Sequence, residues 1–363
     1  MVSRAHPCLA SLAGLAGLAA ALISFGAAAQ PAAVCPAHSP PPPQAPAATP
    51  TNSSVAYQQF PPTGPLETAW FVTFDHGAHR AFYITSAYFK PGPAKPWVKI
   101  LANAGLAELF VPYQTGSPRF LDLSTFDFEL VQGTPADAGA CGQVVGRERK
   151  VIREVVDKGP LWKNDEQVYR GHKMILWATL DAANYNYLIS YAFHDDGRIE
   201  FRIAGTAVNL PSRPLEAHVH NAIWRIDVDL NGPNGNSVFV NRHIEPANSA
   251  SWNDLHEPFN GGKEGAMNFS APEFTTLHVM DATLKNSRGS PSGYMLQPVV
   301  MGVPRHQETF MRNDFWVTRF RASELSFTDI QTYAGNNESI QNTDVVIWHV
   351  TPVLHLATRT ARS

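Results

Sequence analysis

From residue 66 to residue 363 the chain almost never sets its apolar residues at helical spacing. Short apolar runs instead alternate with polar residues and stop at Gly, Pro, Asn or Asp, the pattern of strands and tight turns. Leu188–Phe193, the turn Asp195-Asp196-Gly197 and Ile199–Ile203 read as a β-hairpin. Ile226, Val228 and Leu230 alternate with Asp227 and Asp229, and Asn231-Gly232 then turns the chain into Ser237–Val240. Short strands recur up to Asp344–Trp348, and only Ala104–Phe110 suggests one or two helical turns. A chain so patterned, with no internal repeat, is expected to be all-β and to form a large β-sandwich.

The upstream segment is of another kind. Residues 1–29 carry Arg4, an apolar run from Leu9 to Phe25 and Ala27-Ala28-Ala29 before a cut at Gln30, the layout of a secretory signal. The apolar run is short for a membrane span, so the expected product has no span after cleavage and is secreted or periplasmic. Residues 31–65 hold 11 prolines, including Pro40–Pro43, and read as an extended linker. The expected organisation is therefore signal 1–29, proline-rich linker 30–65 and one domain over 66–363. Cleavage leaves Cys35 and Cys141. In an oxidising compartment they pair or remain as two thiols, and spacing alone does not choose. A net charge of −3 without a basic block argues against a nucleic-acid surface.

Three constellations carry chemistry. His218-Val219-His220 puts two imidazoles on one face of a strand, where they can share a metal ion. His349 and His355, on or beside the last strand, compete as third ligand of a His₃ site suited to copper or zinc. Tyr185, in Asn184-Tyr185-Asn186-Tyr187, precedes His218 by 33 positions (218 − 185). A phenol beside a redox metal can itself be oxidised. Asp227 and Asp229 share a strand face and, with Asp344, are either exposed strand carboxylates or an oxygen site for a hard cation. Asp127 lies between Phe126 and Phe128, 14 residues after Tyr113 (127 − 113). It is either a turn residue or a half-buried acid whose raised pKa suits a general base.

These segments together resemble the catalytic domain of the copper amine oxidases, the topaquinone enzymes. Ile100–Tyr113 is similar to the family's stretch ending in Val-Pro-Tyr. Arg153-Glu154 through Gly159-Pro160-Leu161-Trp162, the Asn184–Tyr187 run, and His218 through Gly232 resemble further family segments in order. Phe315–Arg319 and Asn337–Trp348 resemble its last two core segments, so the likeness covers roughly residues 66 to 356.

The resemblance implies a role for each matched residue. Tyr185 is the precursor of topaquinone, and His218, His220 and His355 bind Cu²⁺. Asp127 is the catalytic base, and Tyr113 hydrogen-bonds the quinone. Asn184 belongs to the same catalytic group. Asp227, Asp229 and Asp344, with the carbonyls of Val228 and Val345, hold a second cation, calcium by its oxygen ligands. The implied reaction condenses a primary amine with the quinone and lets Asp127 take the Cα proton. O₂ then reoxidises the cofactor, and the products are an aldehyde, ammonia and H₂O₂.

The chain departs from the family pattern at Asp181, where the family has Thr, and at Asn186, where it has an acid. Asp181 is expected either to add negative charge near the quinone or to stand in for the missing acid. The family's N-terminal domains are not expected ahead of the proline-rich linker, and a homodimer is left open. Two other readings compete. In one, the fold binds copper without catalysis and Tyr185 stays unmodified. In the other, the sandwich binds glycans on Trp97, Trp162 or Trp252.

Overall fold

A computed structural model of the chain describes residues 35–40, 42, 46, 53–61, 67–113, 118–206, 209–213, 216–244, 253–286, 288–299 and 305–355. The signal 1–29 and Trp252 lie outside the described residues. In chain order the strands are β1 (Ser54–Phe60), β2 (Thr68–Gly77), β3 (Ala81–Lys90), β4 (Val98–Pro112), β5 (Arg119–Leu121), β6 (Glu129–Leu130), β7 (Gly142–Val145), β8 (Val151–Lys163), β9 (Val168–Ala182) and β10 (Tyr185–His194). They continue with β11 (Ile199–Gly205), β12 (His218–Val228), β13 (Asn236–Ile244), β14 (Asn253–Pro258), β15 (Gly265–Met267), β16 (Thr276–Lys285), β17 (Pro291–Leu296), β18 (Phe315–Arg319) and β19 (Val345–His355).

These strands make three antiparallel sheets. The largest has nine strands in the order β1-β2-β3-β4-β12-β19-β18-β15, with β5 on β4. The second has six strands in the order β11-β10-β9-β8-β7, with β6 on β9, and the third is β14-β13-β16-β17. The expected hairpin is β10–β11, with Ile189 opposite Ile203.

The nine-stranded and six-stranded sheets face each other across one core. Tyr187, Ile189, Tyr191 and Phe193 of β10 alternate inward and meet Ala222, Trp224 and Ile226 of β12 with Trp70 and Phe82. Edge-to-face and tilted rings lock the layers: Phe82–Tyr191 at 5.0 Å, Trp70–Phe193 at 5.2 Å and Tyr191–Trp224 at 5.9 Å between centroids. Two buried polar tips also cross between sheets. Tyr191 Oη donates to the Phe82 carbonyl at 2.8 Å, and Trp70 Nε1 donates to the His194 carbonyl at 2.7 Å. Neither large ring therefore leaves a buried donor unmade.

The outer face of the nine-stranded sheet is covered as well. Ile223, Val346, Trp348 and Val350 pack there against Met311, Phe327 and Ile330. β12 and the first half of β19 are therefore buried on both faces.

Two expectations change. Ala104–Phe110 is not helical, because it lies inside β4 between β3 and β12. A strand buried on both faces loses its alternation, and its apolar run then mimics a helical stripe. Gly105 marks the place: a Cβ there would lie 2.6 Å from Cβ of Tyr83. Second, Ser54–Phe60, assigned to the linker, is the edge strand β1, paired along its length with β2. Residues 51–60 contain no proline, so nothing interrupts that ladder. Asn231-Gly232 turns the chain as expected, with both residues at positive φ, and passes it from β12 in one sheet to β13 in another.

Cys35 and Cys141 form a disulfide, and Arg153 beside it donates to the Tyr57 carbonyl at 2.6 Å and to Gln58 Oε1 at 2.7 Å. Of the expected glycan platforms, Trp97 packs on Tyr57 and Phe71, whereas Trp162 is 48% exposed and stacks on Tyr169. No helix among the described residues is long and apolar enough to cross a membrane. The disulfide closes a separation of 106 residues. Cys141→Ser is expected to lower unfolding stability by about 2–4 kcal/mol, measured by denaturant titration.

Candidate functional site: a tyrosine beside three imidazoles

The site lies where the ends of β10, β12 and β19 meet. The period of two along β12 puts His218 and His220 on the inner face, and the antiparallel register sets His355 directly opposite His218. All three are buried, and their candidate ligand nitrogens lie within 4.8 Å of one another. His349, six residues earlier on β19, is elsewhere. It stacks on Phe315 at 4.3 Å, and its Nδ1 bonds the Asp314 carbonyl at 3.0 Å. The contest for third imidazole therefore falls to His355.

Tyr185 enters from the other sheet. Ala182 and Tyr185 face each other across β9 and β10, and the two-residue turn between them is Ala183-Asn184, with Ala183 at φ 63°. This turn fixes the parity of β10, so Tyr185 and Tyr187 point inward at 6% and 1% exposure. Tyr185 Oη lies 3.1 Å from His218 Nε2 and 3.0 Å from Tyr113 Oη. The Tyr113 ring stacks on His218 at 4.1 Å. Burial first, and the Tyr113 hydroxyl second, push the Tyr185 phenol well above its ordinary value, while the Asn184 side chain acts the other way.

The hydrogen bonds set the imidazole tautomers. His218 Nδ1 faces the Glu216 carbonyl at 3.0 Å; a carbonyl only accepts, so Nδ1 carries the proton and Nε2 keeps its lone pair. On His220 the chain is longer. Tyr187 donates to Asp122 Oδ2 at 2.9 Å, so its oxygen accepts from His220 Nδ1 at 2.5 Å. His220 Nε2 is left buried with no hydrogen-bond partner among the described residues. Burial lowers the pKa of His218, and it lowers that of His220 to about 3, with repulsion from His218 and His355 adding to it. Neutral imidazoles with lone pairs turned inward, each oriented through its other nitrogen, are the donor set of a transition-metal ion. Copper fits these residues.

Asp122 is a residue that sequence reasoning missed. The short α1 (Asp122–Thr125) is pinned by Glu108, whose carboxylate accepts from the amides of Leu109 and Leu123 at 2.9 and 2.8 Å. This turns Asp122 inward. Burial raises its pKa to about 7, against the Tyr187 hydrogen bond that favours the carboxylate. Asp127 is not walled by aromatic rings. After α1 the chain runs extended, Phe126 and Phe128 stack on each other at 5.1 Å, and the Asp127 side chain points outward, 85% exposed and paired with His79 at 3.1 Å. Asp181 and Asn186 face each other on the exposed side of the β9–β10 hairpin, away from Tyr185. The Asp181 charge therefore sits outside the site. Tyr187 could have been found from the motif, being two residues from Tyr185 on the same face. Asp122 has no local signal.

The acidic trio also comes together. Asp227, Asp229 and Asp344 lie at the far end of the β12–β19 ladder, where Val228 opposes Val345. Asp227 and Asp229 are 3% and 1% exposed, not solvated strand carboxylates. Burial raises Asp227 to about 7 and Asp344 to about 6. One oxygen on each of the three is buried with no hydrogen-bond partner among the described residues, which suits a hard cation. Lys99, however, already sets its ammonium against Asp229, and Arg225 lies 3.7 Å from Asp227.

Fold and centre together define a β-sandwich with a three-imidazole site beside buried phenols. The profile described as "Copper amine oxidase, enzyme domain" matches residues 211–360. The chain is 22% identical over 241 residues to the primary amine oxidase of Klebsiella aerogenes, covering 52% of this chain and 32% of that protein. Against copper amine oxidase 1 of Aspergillus niger it is 22% identical over 324 residues, covering 70% and 48%. The crystal structure of a copper-containing benzylamine oxidase from Hansenula polymorpha superposes with a TM-score of 0.65 at 17% identity, over 80% of this chain and 56% of that one. The Aspergillus nidulans amine oxidase does so with 0.61 at 18%, over 88% and 52%. The chain is similar in sequence to copper amine oxidases and has the fold of these solved structures, and it spans about a third to a half of the length of these two sequence relatives.

Replacing His355 with Ala should abolish stoichiometric Cu²⁺ binding measured by elemental analysis. His349→Ala should retain it, and the opposite pair of results would reassign the third ligand.

Proposed function

We propose that the chain is a copper-dependent amine oxidase whose organic cofactor, topaquinone, derives from Tyr185. The observation that carries this reading is the Tyr185 hydroxyl 3.1 Å from His218 Nε2, inside the imidazole cluster and 3.0 Å from Tyr113. His218, His220 and His355 would hold the copper. Copper and the quinone supply the redox chemistry: oxidation of a primary amine to an aldehyde, with ammonia and H₂O₂ as products and O₂ as acceptor.

The chain's own groups do the rest. Tyr113 holds the Tyr185 oxygen in place by hydrogen bond and packs on His218. Tyr187 and Asp122 fix His220 in the tautomer that offers Nε2. Tyr113, Tyr185, Tyr187 and the three histidines are all buried. For proton abstraction the resemblance points to Asp127, but the acid inside the site is Asp122. Its raised pKa, about 7, is that of a base matched to neutral pH. We assign the proton-handling role to Asp122.

The same proposal places a calcium ion at Asp227, Asp229 and Asp344, with the carbonyls of Val228 and Val345, in competition with Lys99. It also places the protein in an oxidising compartment, secreted or periplasmic, which the Cys35–Cys141 disulfide supports.

Incubating metal-free protein with Cu²⁺ in air should produce a visible quinone band, phenylhydrazine trapping and a mass increase on the Tyr185 peptide. Copper binding with an unmodified Tyr185 would leave a copper-binding protein instead. With the cofactor formed, Asp122→Asn should lower amine turnover by roughly 10²- to 10⁴-fold while Asp127→Asn stays near wild type. The reverse order would return the role to Asp127.

A further inference from the structure

A cavity of about 630 Å³ opens onto the site, and two residues of its wall, Tyr113 and His218, both touch the Tyr185 hydroxyl. That volume suits a small-molecule ligand. Arg119, Arg305, His306 and Gln307 line it, and no Asp or Glu is among its described lining residues.

Each guanidinium is held by a carboxylate but keeps donors to spare. Arg119 is gripped through Nε and one terminal nitrogen by both oxygens of Glu308, leaving its other terminal nitrogen. Arg305 donates to Asp314 at 2.8 Å and to Asn268 at 3.1 Å, leaving Nε. The Asp314 carboxylate is covered, with its side chain 3% exposed, whereas Arg305 is 41% exposed. A ligand therefore meets the guanidinium before the acid. His306 Nε2 accepts from Asn221 Nδ2 at 3.3 Å, so the proton of this ring sits on Nδ1.

A second ammonium in this cavity would meet two guanidinium groups and no described lining carboxylate, whereas a carboxylate would accept from the planar guanidinium groups. We propose that the pocket selects amines bearing a carboxylate at the end remote from the amine and disfavours diamines, with Arg119 and Arg305 as the specificity-determining residues. This rests on the amine-oxidase reading of the same site.

Binding and turnover test it separately. Calorimetric titration of the full chain with pentanoate should show saturable binding that weakens about tenfold in Arg305→Gln. Binding of pentylamine without any binding of pentanoate would overturn the proposal. In the copper-loaded protein, kcat/KM should rank δ-aminovalerate above pentylamine and pentylamine above cadaverine, each step about tenfold. Arg119→Gln strips Glu308 of its counter-ion and should raise cadaverine relative to δ-aminovalerate. If that variant does not fold, Arg305→Gln carries the test alone. A wild-type preference for cadaverine would overturn the proposal. Failure to oxidise all three amines, with Arg305-dependent pentanoate binding intact, would count against the oxidase reading and sustain the carboxylate pocket.

Discussion

The antiparallel ladder between His218–Val228 and Val345–His355 is the constraint on which the rest depends. Along β12 and the first half of β19 it is buried on both faces, so its register cannot slip by one residue without driving apolar side chains out of two cores at once. That register sets His355 opposite His218 at one end and Val228 opposite Val345 at the other. The imidazole cluster and the acidic trio are thus the two ends of one rigid element. The hydrophobic packing that stabilises the sandwich also fixes the geometry of both candidate ion sites.

Around the imidazoles the second sheet supplies phenols. Tyr185 and Tyr187 sit two apart on β10 and meet two histidines that sit two apart on β12, each tyrosine touching one histidine. Two strands with the same period, facing each other across the core, produce this pairing without a special loop. The polar contacts are then settled by donor and acceptor counting. A carbonyl holds one imidazole and a phenol–carboxylate pair holds the other, so both keep a lone pair turned into the cluster. Burying groups of this kind without such partners would be costly, and the partners are themselves buried and pinned, as Glu108 pins α1.

Much of this was legible in the chain. Alternation and turn residues gave the all-β class and the β10–β11 hairpin. The His-x-His spacing gave the shared face, and Tyr185 was singled out by its motif. Legibility failed where burial on both faces erased the alternation, as in β4, and where one strand stood beside a proline-rich stretch, as in β1. It failed again at Asp127 and Asp122, five positions apart. Nothing local tells which of two acids in a short, aromatic-rich loop turns inward. Glu108, on a different strand, decides it through two backbone amides.

What the sequence determined by itself was the inventory and its periodicity: four candidate histidines, a tyrosine in a recognisable motif, strands of two-residue repeat and a pair of cysteines. Those follow from local chemistry, because the period of a strand and the residues of a turn need no distant partner. What only the tertiary structure decided was which of these groups meet. The choice of His355 over His349, the inward turn of Asp122, the ammonium of Lys99 among buried carboxylates and the cavity at Arg119 and Arg305 all depend on contacts between strands far apart in the chain. Such contacts are set by the packing of whole sheets, which no local pattern encodes.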